Sequence, residues 1–291
     1  MDRRSVEFFS EGSKIAGDLY LPEGADAGKL PCVVLCHGFA GIKEVALPAY
    51  AVRFAREGFA ALAFDYRGFG ASEGARGRLV PQEQIADIRN AVTFAQSLGE
   101  VDPARIGLWG TSFGGANAIS AAALDERAKA VVAQLTFGDG ARVILGNMSD
   151  EQKAKLMATL AKARARAVTK NKVLTMSPEQ ILTDPDSVAF YKKAVEAHPA
   201  IKTSLPMLIL ESIIEYRPEE VVGRISPRAL MIISAEVDES CPPEESRSLY
   251  EKAGEPKELV TLEGARHYDT YAGEHLKASS GAAIRWFKAH L

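Results

Sequence analysis

Arg105-Ile106-Gly107-Leu108-Trp109-Gly110-Thr111-Ser112-Phe113-Gly114-Gly115-Ala116-Asn117-Ala118-Ile119 is the stretch that decides the fold. Residues 105–109 read as a short buried strand, and residues 115–124 read as an alanine-rich helix. Between them, Gly110-Thr111-Ser112-Phe113-Gly114 fits the pattern G-x-S-x-G. A serine on so sharp a strand-to-helix turn is held in strained backbone geometry that lifts its hydroxyl clear of the packed layers. The flanking glycines let helix and strand approach closely, and the next backbone N–H helps to hold an oxyanion. The bare pattern arises by chance in roughly one chain of this length in ten. Its weight therefore rests on the strand–turn–helix setting and on the residues that follow downstream.

Working outward, residues 5–10 and 14–21 alternate as two antiparallel strands joined by Glu11-Gly12-Ser13. Residues 22–31 form a polar loop. Cys32-Val33-Val34-Leu35-Cys36 is continuously apolar, as a parallel strand buried on both faces must be. A helix over 46–57, a strand over 60–64 and an amphipathic helix over 81–98 follow. Ile85, Ile88, Val92 and Ala95 recur along that helix at spacings of three and four, and Pro81 suits its first turn. Beyond the serine the rhythm continues with a strand at 130–135. It breaks over 137–205, a mostly helical segment richer in Lys and Met, and resumes with a helix near 218–222. A strand at 229–234, a helix at 243–253, a strand at 258–262 and a last helix at 278–290 complete the chain. Strands alternating with helices predict an α/β architecture, a mostly parallel sheet covered on both faces. Residues 1–136 and 206–291 then make the core, and residues 137–205 a helical cap above the strand ends.

A nucleophilic serine needs a base within reach and an acid to orient that base. In a parallel sheet both belong on loops after later strands, at the carboxyl edge where ligands bind. Of the five histidines, only His267, in Gly264-Ala265-Arg266-His267-Tyr268, follows such a later strand; His37 follows an earlier one, His198 is in the cap, and His275 and His290 are in the last helical region. The acid should follow the preceding strand, where Glu236, Asp238 and Glu239 compete; Asp238 is favoured and Glu236 is the runner-up. The order Ser112, Asp238, His267 has each group at a strand end. Developing oxyanion charge calls for two backbone donors. One is the N–H of Phe113; the other comes from His37-Gly38-Phe39, as Phe39 or alternatively Ala40, with Gly38 leaving room and His37 hydrogen-bonding to hold the loop.

The whole chain sets limits. Its 291 residues carry a net charge of −3, with 47% hydrophobic and 25% charged side chains. That balance gives no electrostatic case for nucleic acid or for an acidic membrane surface. No apolar run approaches the ~20 residues a membrane span needs, and no apolar leader follows Met1, so a cytoplasmic location is expected. Cys32 and Cys36 face one side of a strand about 13 Å apart, too far to bridge. With the isolated Cys241 they make neither a disulfide framework nor a metal site; they read as small buried apolar residues.

His37-Gly38-Phe39, Phe64-Asp65-Tyr66-Arg67-Gly68-Phe69-Gly70-Ala71-Ser72, the Ser112 turn, Asp238 with Pro242-Pro243, and Gly264-Ala265-Arg266-His267 together resemble the α/β-hydrolase superfamily. More narrowly they resemble its dienelactone-hydrolase-like and X-Pro-dipeptidyl-peptidase-like esterases. The resemblance covers residues 5–135 and 206–291, while the cap carries no matching motif. It implies an eight-stranded α/β-hydrolase fold and a serine hydrolase, carboxylesterase-like, acting on a small-molecule acyl substrate with no metal or organic cofactor. Cleavage of an amide, thioester or carbon–carbon bond, or acyl transfer, is the alternative. Dienelactone hydrolases proper use a cysteine where this chain has Ser112, which argues for ester-type substrates. A homodimer is the default expectation for assembly.

Two other features invite readings. Gly68-Phe69-Gly70-Ala71-Ser72-Glu73-Gly74 places its third glycine one position late for a dinucleotide loop, so a tight turn is expected, with Asp65 and Arg67 pairing locally. The cap helix over 150–172 carries seven Lys and Arg with Leu156, Met157, Leu160, Ala161 and Val168 at roughly helical spacing. It reads as an amphipathic helix with a solvated cationic face, with attraction of an anionic substrate as the sharper alternative.

Overall fold

Two antiparallel strands open the chain, β1 (Asp2–Ser10) and β2 (Ser13–Leu21). The computed structural model describes residues 1–24 and 29–291; residues 25–28 of the expected loop 22–31 lie outside the described residues. The alternation that follows is β3 (Leu30–Cys36), α1 (Leu47–Arg56), β4 (Ala60–Phe64), α2 (Pro81–Ser97), β5 (Val101–Thr111), α3 (Phe113–Leu124) and β6 (Ala128–Gln134). Next come α4 (Gly140–Leu145), α5 (Asp150–Lys170), the short strand β7 (Thr175–Met176), α6 (Pro185–Ala197), β8 (Leu205–Pro206) and α7 (Ile209–Ile214). The chain closes with β9 (Ala229–Ala235), α8 (Pro243–Lys252), β10 (Lys257–Leu262) and α9 (Gly273–His290).

Eight strands form one sheet in the order β1-β2-β4-β3-β5-β6-β9-β10, antiparallel at the β1, β2 and β4 pairings and parallel from β4 onward. The continuous apolar strands earn their position by burial on both sides. Val34 packs into the core on one face, while Val33 and Leu35 pack into the core on the other, all fully buried. Each such side chain stabilises the fold by roughly 1.5–3 kcal/mol relative to exposure. Helices α2 and α3 cover the first face, through Ile88, Val92 and Ile119; α1 and α9 cover the second, through Phe54 and Phe287. Pro81 occupies the first turn of α2, as expected.

The chain leaves β3 to one side to build β4 and returns past it to build β5, so the winding reverses between β3 and β5. The carboxyl ends of these two strands therefore diverge into a crevice, the place where open α/β sheets bind ligands. Ser112 follows β5 and His37-Gly38-Phe39 follows β3, directly at that reversal.

Several local expectations are corrected. Residues 218–225 make two 3₁₀ turns, Pro218–Glu220 and Val222–Ile225, instead of an α-helix. The last helix begins at Gly273, five residues before the expected start. The helical segment also holds a two-stranded antiparallel pair, β7 with β8. In α5 only Leu160 and Ala163 are buried, and Met157 and Val168 of the expected apolar stripe are exposed. No helix among the described residues is long and apolar enough to cross a membrane.

Candidate active site

Ser112 sits at φ 56° and ψ −127°, a left-handed conformation that a side chain bearing Cβ adopts only under constraint. The constraint is visible around it. The Ser112 N–H donates to Gln134 O at 2.8 Å, and its carbonyl accepts the Thr136 hydroxyl at 2.9 Å. Glycine is obligatory on either side for steric reasons. A Cβ on Gly110 would stand 2.1 Å from Gly114 O, and one on Gly114 would stand 2.2 Å from Cys36 O. Strand, turn and helix thus nest with no room for a methyl group, as the sequence pattern implied.

The structure brings Asp238 and His267 together. His267 Nδ1 lies 2.7 Å from Asp238 Oδ2, with both side chains buried. The other carboxylate oxygen accepts backbone N–H groups from Ser240 at 2.9 Å and Cys241 at 2.7 Å. Those two fixed donors lock the rotation of the carboxylate, so Oδ2 faces the imidazole. Glu236, the runner-up, is exposed and accepts the Gly264 N–H at 2.8 Å, and Glu239 is also exposed. Ser112 and His267 line one pocket. Cys241 lines a second pocket together with Ser112, and burial pushes its thiol well above its usual range.

The loop after β3 packs against the serine. A Cβ on Gly38 would meet Ser112 Cβ at 3.2 Å, so only glycine lets the loop come this close. Phe39 and Phe113 flank Ser112 with their rings edge to face, 6.2 Å between centroids. Ala40 turns the loop through positive φ (47°). His37 holds it as expected, with Nδ1 2.9 Å from Gly38 O and Nε2 3.4 Å from Tyr66 N; burial drives its pKa down to about 4. The neutral ring is thus a brace for the loop.

The expected Asp65–Arg67 pair does not form. Asp65 accepts N–H groups from Lys43 at 2.7 Å and Ala71 at 2.9 Å, while Arg67 reaches Asp87 at 2.6 Å and Glu11 at 2.7 Å. Gly70 takes φ +50° where a Cβ would stand 2.2 Å from the Asp65 carboxyl. Asp65 ties this turn to the segment after the serine-facing loop, whereas Arg67 ties it to α2.

Helix α6 contributes walls that no sequence motif announced. Phe190 of α6 stacks on Tyr268 at 4.3 Å, and Tyr268 meets the His267 ring edge to face at 4.8 Å. The Ser187 hydroxyl lies 2.8 Å from Tyr268 Oη and 3.0 Å from Ser240 Oγ, and Arg266 pairs with Asp186 at 3.1 Å. Tyr268 was adjacent to a recognised histidine; Ser187 and Phe190 had no local signal. In the same segment, Arg142 of α4 bridges two buried carboxylates, Glu219 and Glu245 at 2.5 and 2.6 Å. Among the described residues, no cation of α5 lines the pocket at Ser112, in keeping with a solvated face.

A mostly parallel eight-stranded sheet, with a serine turn at its winding reversal and loops converging on it from later strands, defines an α/β hydrolase. Residues 29–269 match the family described as serine aminopeptidase, S33, and the chain belongs to it. This establishes the superfamily, a coarser placement than the dienelactone-hydrolase-like branch. The chain is 38% identical over 283 residues to an uncharacterized 31.7 kDa protein of the traX-finO intergenic region of Escherichia coli, covering 97% of each. It is 30% identical to the quorum-quenching protein AidA of Acinetobacter baumannii, over 92% of this chain and 89% of that protein. Among solved structures it is similar to the alpha/beta hydrolase GrgF of Penicillium sp. sh18, with a TM-score of 0.84 and 26% identity over 100% of this chain and 99% of that one.

Proposed function

We propose that the protein is a serine hydrolase that cleaves a carboxylic ester through an acyl-enzyme on Ser112. Ser112 Oγ attacks the ester carbonyl while its proton passes to His267 Nε2. The bond to the leaving oxygen then breaks, and His267 returns that proton to the departing alcohol. Water repeats the sequence, giving its proton to His267 and releasing the carboxylic acid and Ser112. Asp238 holds the imidazole with the proton on Nδ1 and balances the positive charge that His267 acquires. The N–H groups of Phe39 and Phe113 receive the oxyanion, where one such donor stabilises the transition state by about 3–4 kcal/mol. The observation that carries this reading is the 2.7 Å contact from Asp238 to His267, at the edge of the pocket that Ser112 also lines. The test is labelling by a fluorophosphonate. Wild type should be labelled on Ser112 and Ser112→Ala should not; equal labelling of both overturns the nucleophile.

Acyl transfer is the second reading, in which an alcohol or amine takes the place of water. It is favoured by an apolar pocket and by a relative named polyketide transferase grgF from Penicillium sp., 29% identical. A relative named thiohydrolase aneE from Aspergillus aculeatus, 28% identical, supports a thioester as the bond that Ser112 opens. Product analysis with a competing acceptor separates transfer from hydrolysis.

A further inference from the structure

Ser112 is not at the end of a pocket but at the partition between two. One chamber, of about 70 Å³, is lined by His267, Gly38 and Tyr271; it shares Val45, Ala46 and Phe190 with an open groove of about 610 Å³. The other, of about 40 Å³, is lined by Phe113, Phe137, Ile213 and Cys241 and does not include His267. Phe39, Ser112, Leu182 and Tyr268 belong to both chambers. The two sides of an ester are therefore distinguishable. The leaving oxygen must receive its proton from His267, so the leaving group occupies the chamber that contains His267. The group that stays on the serine occupies the other.

The acyl chamber is the smaller of the two, about 40 Å³ against about 70 Å³. Beyond it lies a groove of about 410 Å³ that runs past Asn147, Met148 and Leu156. Between chamber and groove stand Val143, Ile144, Ile181, Leu182 and Ser240, which border both. Ile144 comes from α4 and Ile181 directly follows a 3₁₀ turn, Pro178–Gln180, before α6; both are half-buried against the main core. At ~10–15 Å³ for each water-sized group, 40 Å³ accommodates roughly three heavy atoms.

The geometry points to Ile144 and Ile181 as the residues that set acyl chain length. They end the acyl chamber so that it accepts a short apolar acyl group of about four carbons, carbonyl included, while the leaving group extends freely into the outer groove. This inference rests on the proposed acyl-enzyme at Ser112. Smaller side chains at 144 or 181 join the chamber to the groove behind it and admit longer chains.

The experiment measures kcat/KM for p-nitrophenyl esters from acetyl to dodecanoyl, and for a series of n-alkyl butyrates. Wild type should peak at butyryl and fall at least tenfold by octanoyl, with little dependence on alcohol length. Ile144→Ala and Ile181→Ala should each raise the octanoyl-to-butyryl ratio at least tenfold while the alcohol profile keeps its shape. Ile144→Phe should move the peak to acetyl. Because each ratio is taken within one variant, partial loss of folded protein cancels. Unchanged acyl profiles in both alanine variants, or a shift in the alcohol profile instead, overturn the assignment. Fluorophosphonate labelling of Ser112 in the same preparations separates the two layers: a labelled serine with unmoved ratios removes only the chamber assignment, whereas an unlabelled serine removes the acyl-enzyme beneath it.

Discussion

Replacing Asp238 by Asn tests the arrangement at its most constrained point, because the structure dictates how the amide must sit. The carboxylate uses Oδ1 to accept two backbone N–H groups, from Ser240 at 2.9 Å and Cys241 at 2.7 Å. These donors belong to the turn into α8 and cannot rotate away. An asparagine in the same place must therefore turn its carbonyl oxygen toward them, since its NH₂ group there would face two donors with none of its own protons satisfied. The NH₂ is left pointing at His267 Nδ1, which has to become an acceptor. The imidazole proton moves to Nε2, the nitrogen that must be free to take the proton of Ser112. Nothing in the packing changes, yet the base is held in the wrong tautomer. The corresponding change in a serine protease triad lowers kcat about 10⁴-fold, on the order of 5 kcal/mol in the barrier. The assay is kcat on p-nitrophenyl butyrate with purified Asp238→Asn, together with a thermal melt to verify that the fold is intact. Glu236→Gln, which alters only an exposed carboxylate on Gly264, serves as the comparison and should keep most of its activity. A folded Asp238→Asn with turnover within tenfold of wild type refutes the reasoning, and so does a large loss in Glu236→Gln.

Three further outcomes are expected. Gly114→Ala drives a methyl group to 2.2 Å from Cys36 O and 2.4 Å from His37 O, so the loop after β3 must retreat by about 1 Å; variant that still folds by circular dichroism should lose roughly 10²-fold in kcat/KM. Glu219 is held at a pKa of about 2, below its usual 4.5, chiefly by Arg142 with Lys252 and Ser248 assisting. A depressed carboxylate stabilises the fold above its unfolded pKa and ceases to as pH falls through its folded one. Urea titrations should therefore show a loss between pH 4.5 and 2 of roughly 1–2 kcal/mol that Glu219→Gln removes, allowing for screening at the partly exposed Arg142; an unchanged acid slope in that variant contradicts the pairing. Gly281→Ala, in the interior of α9 with open space around the site, should stabilise by about 0.5–1 kcal/mol, seen as a rise of about 1–3 °C in Tm, and a fall in Tm contradicts the helical account.

What the sequence disclosed follows from how locally each feature is encoded. The buried strands declare themselves because both faces are covered, and five consecutive apolar residues such as Ala60 through Phe64 have no competing explanation. The serine turn is legible because Gly110 and Gly114 answer a steric demand within five residues of chain. Asp238 and His267 were placed by counting strand ends, which works only because the sheet is parallel and its carboxyl edge is one surface. Interactions closed over long sequence separations left no trace. Arg67 finds Asp87 twenty residues on, not the Asp65 beside it, because the α2 carboxylate is presented by packing rather than by spacing. The 3₁₀ turns over 218–225 were mistaken for a helix because four or five apolar and acidic residues satisfy either period. The partners of Tyr268 on α6 could be found only once that helix had been folded over it.

That ring carries a mechanical consequence. Tyr268 touches His267 on one side and is clasped by Phe190 and Ser187 of α6 on the other, while Ser187 also holds Ser240 beside Asp238. Loss of the α6 contacts would remove support from His267 and from the Ser240 turn at Asp238 together. The packing of α6 and the geometry of the Asp238–His267 pair are therefore set together, so a substitution on α6 that never touches substrate is felt at both.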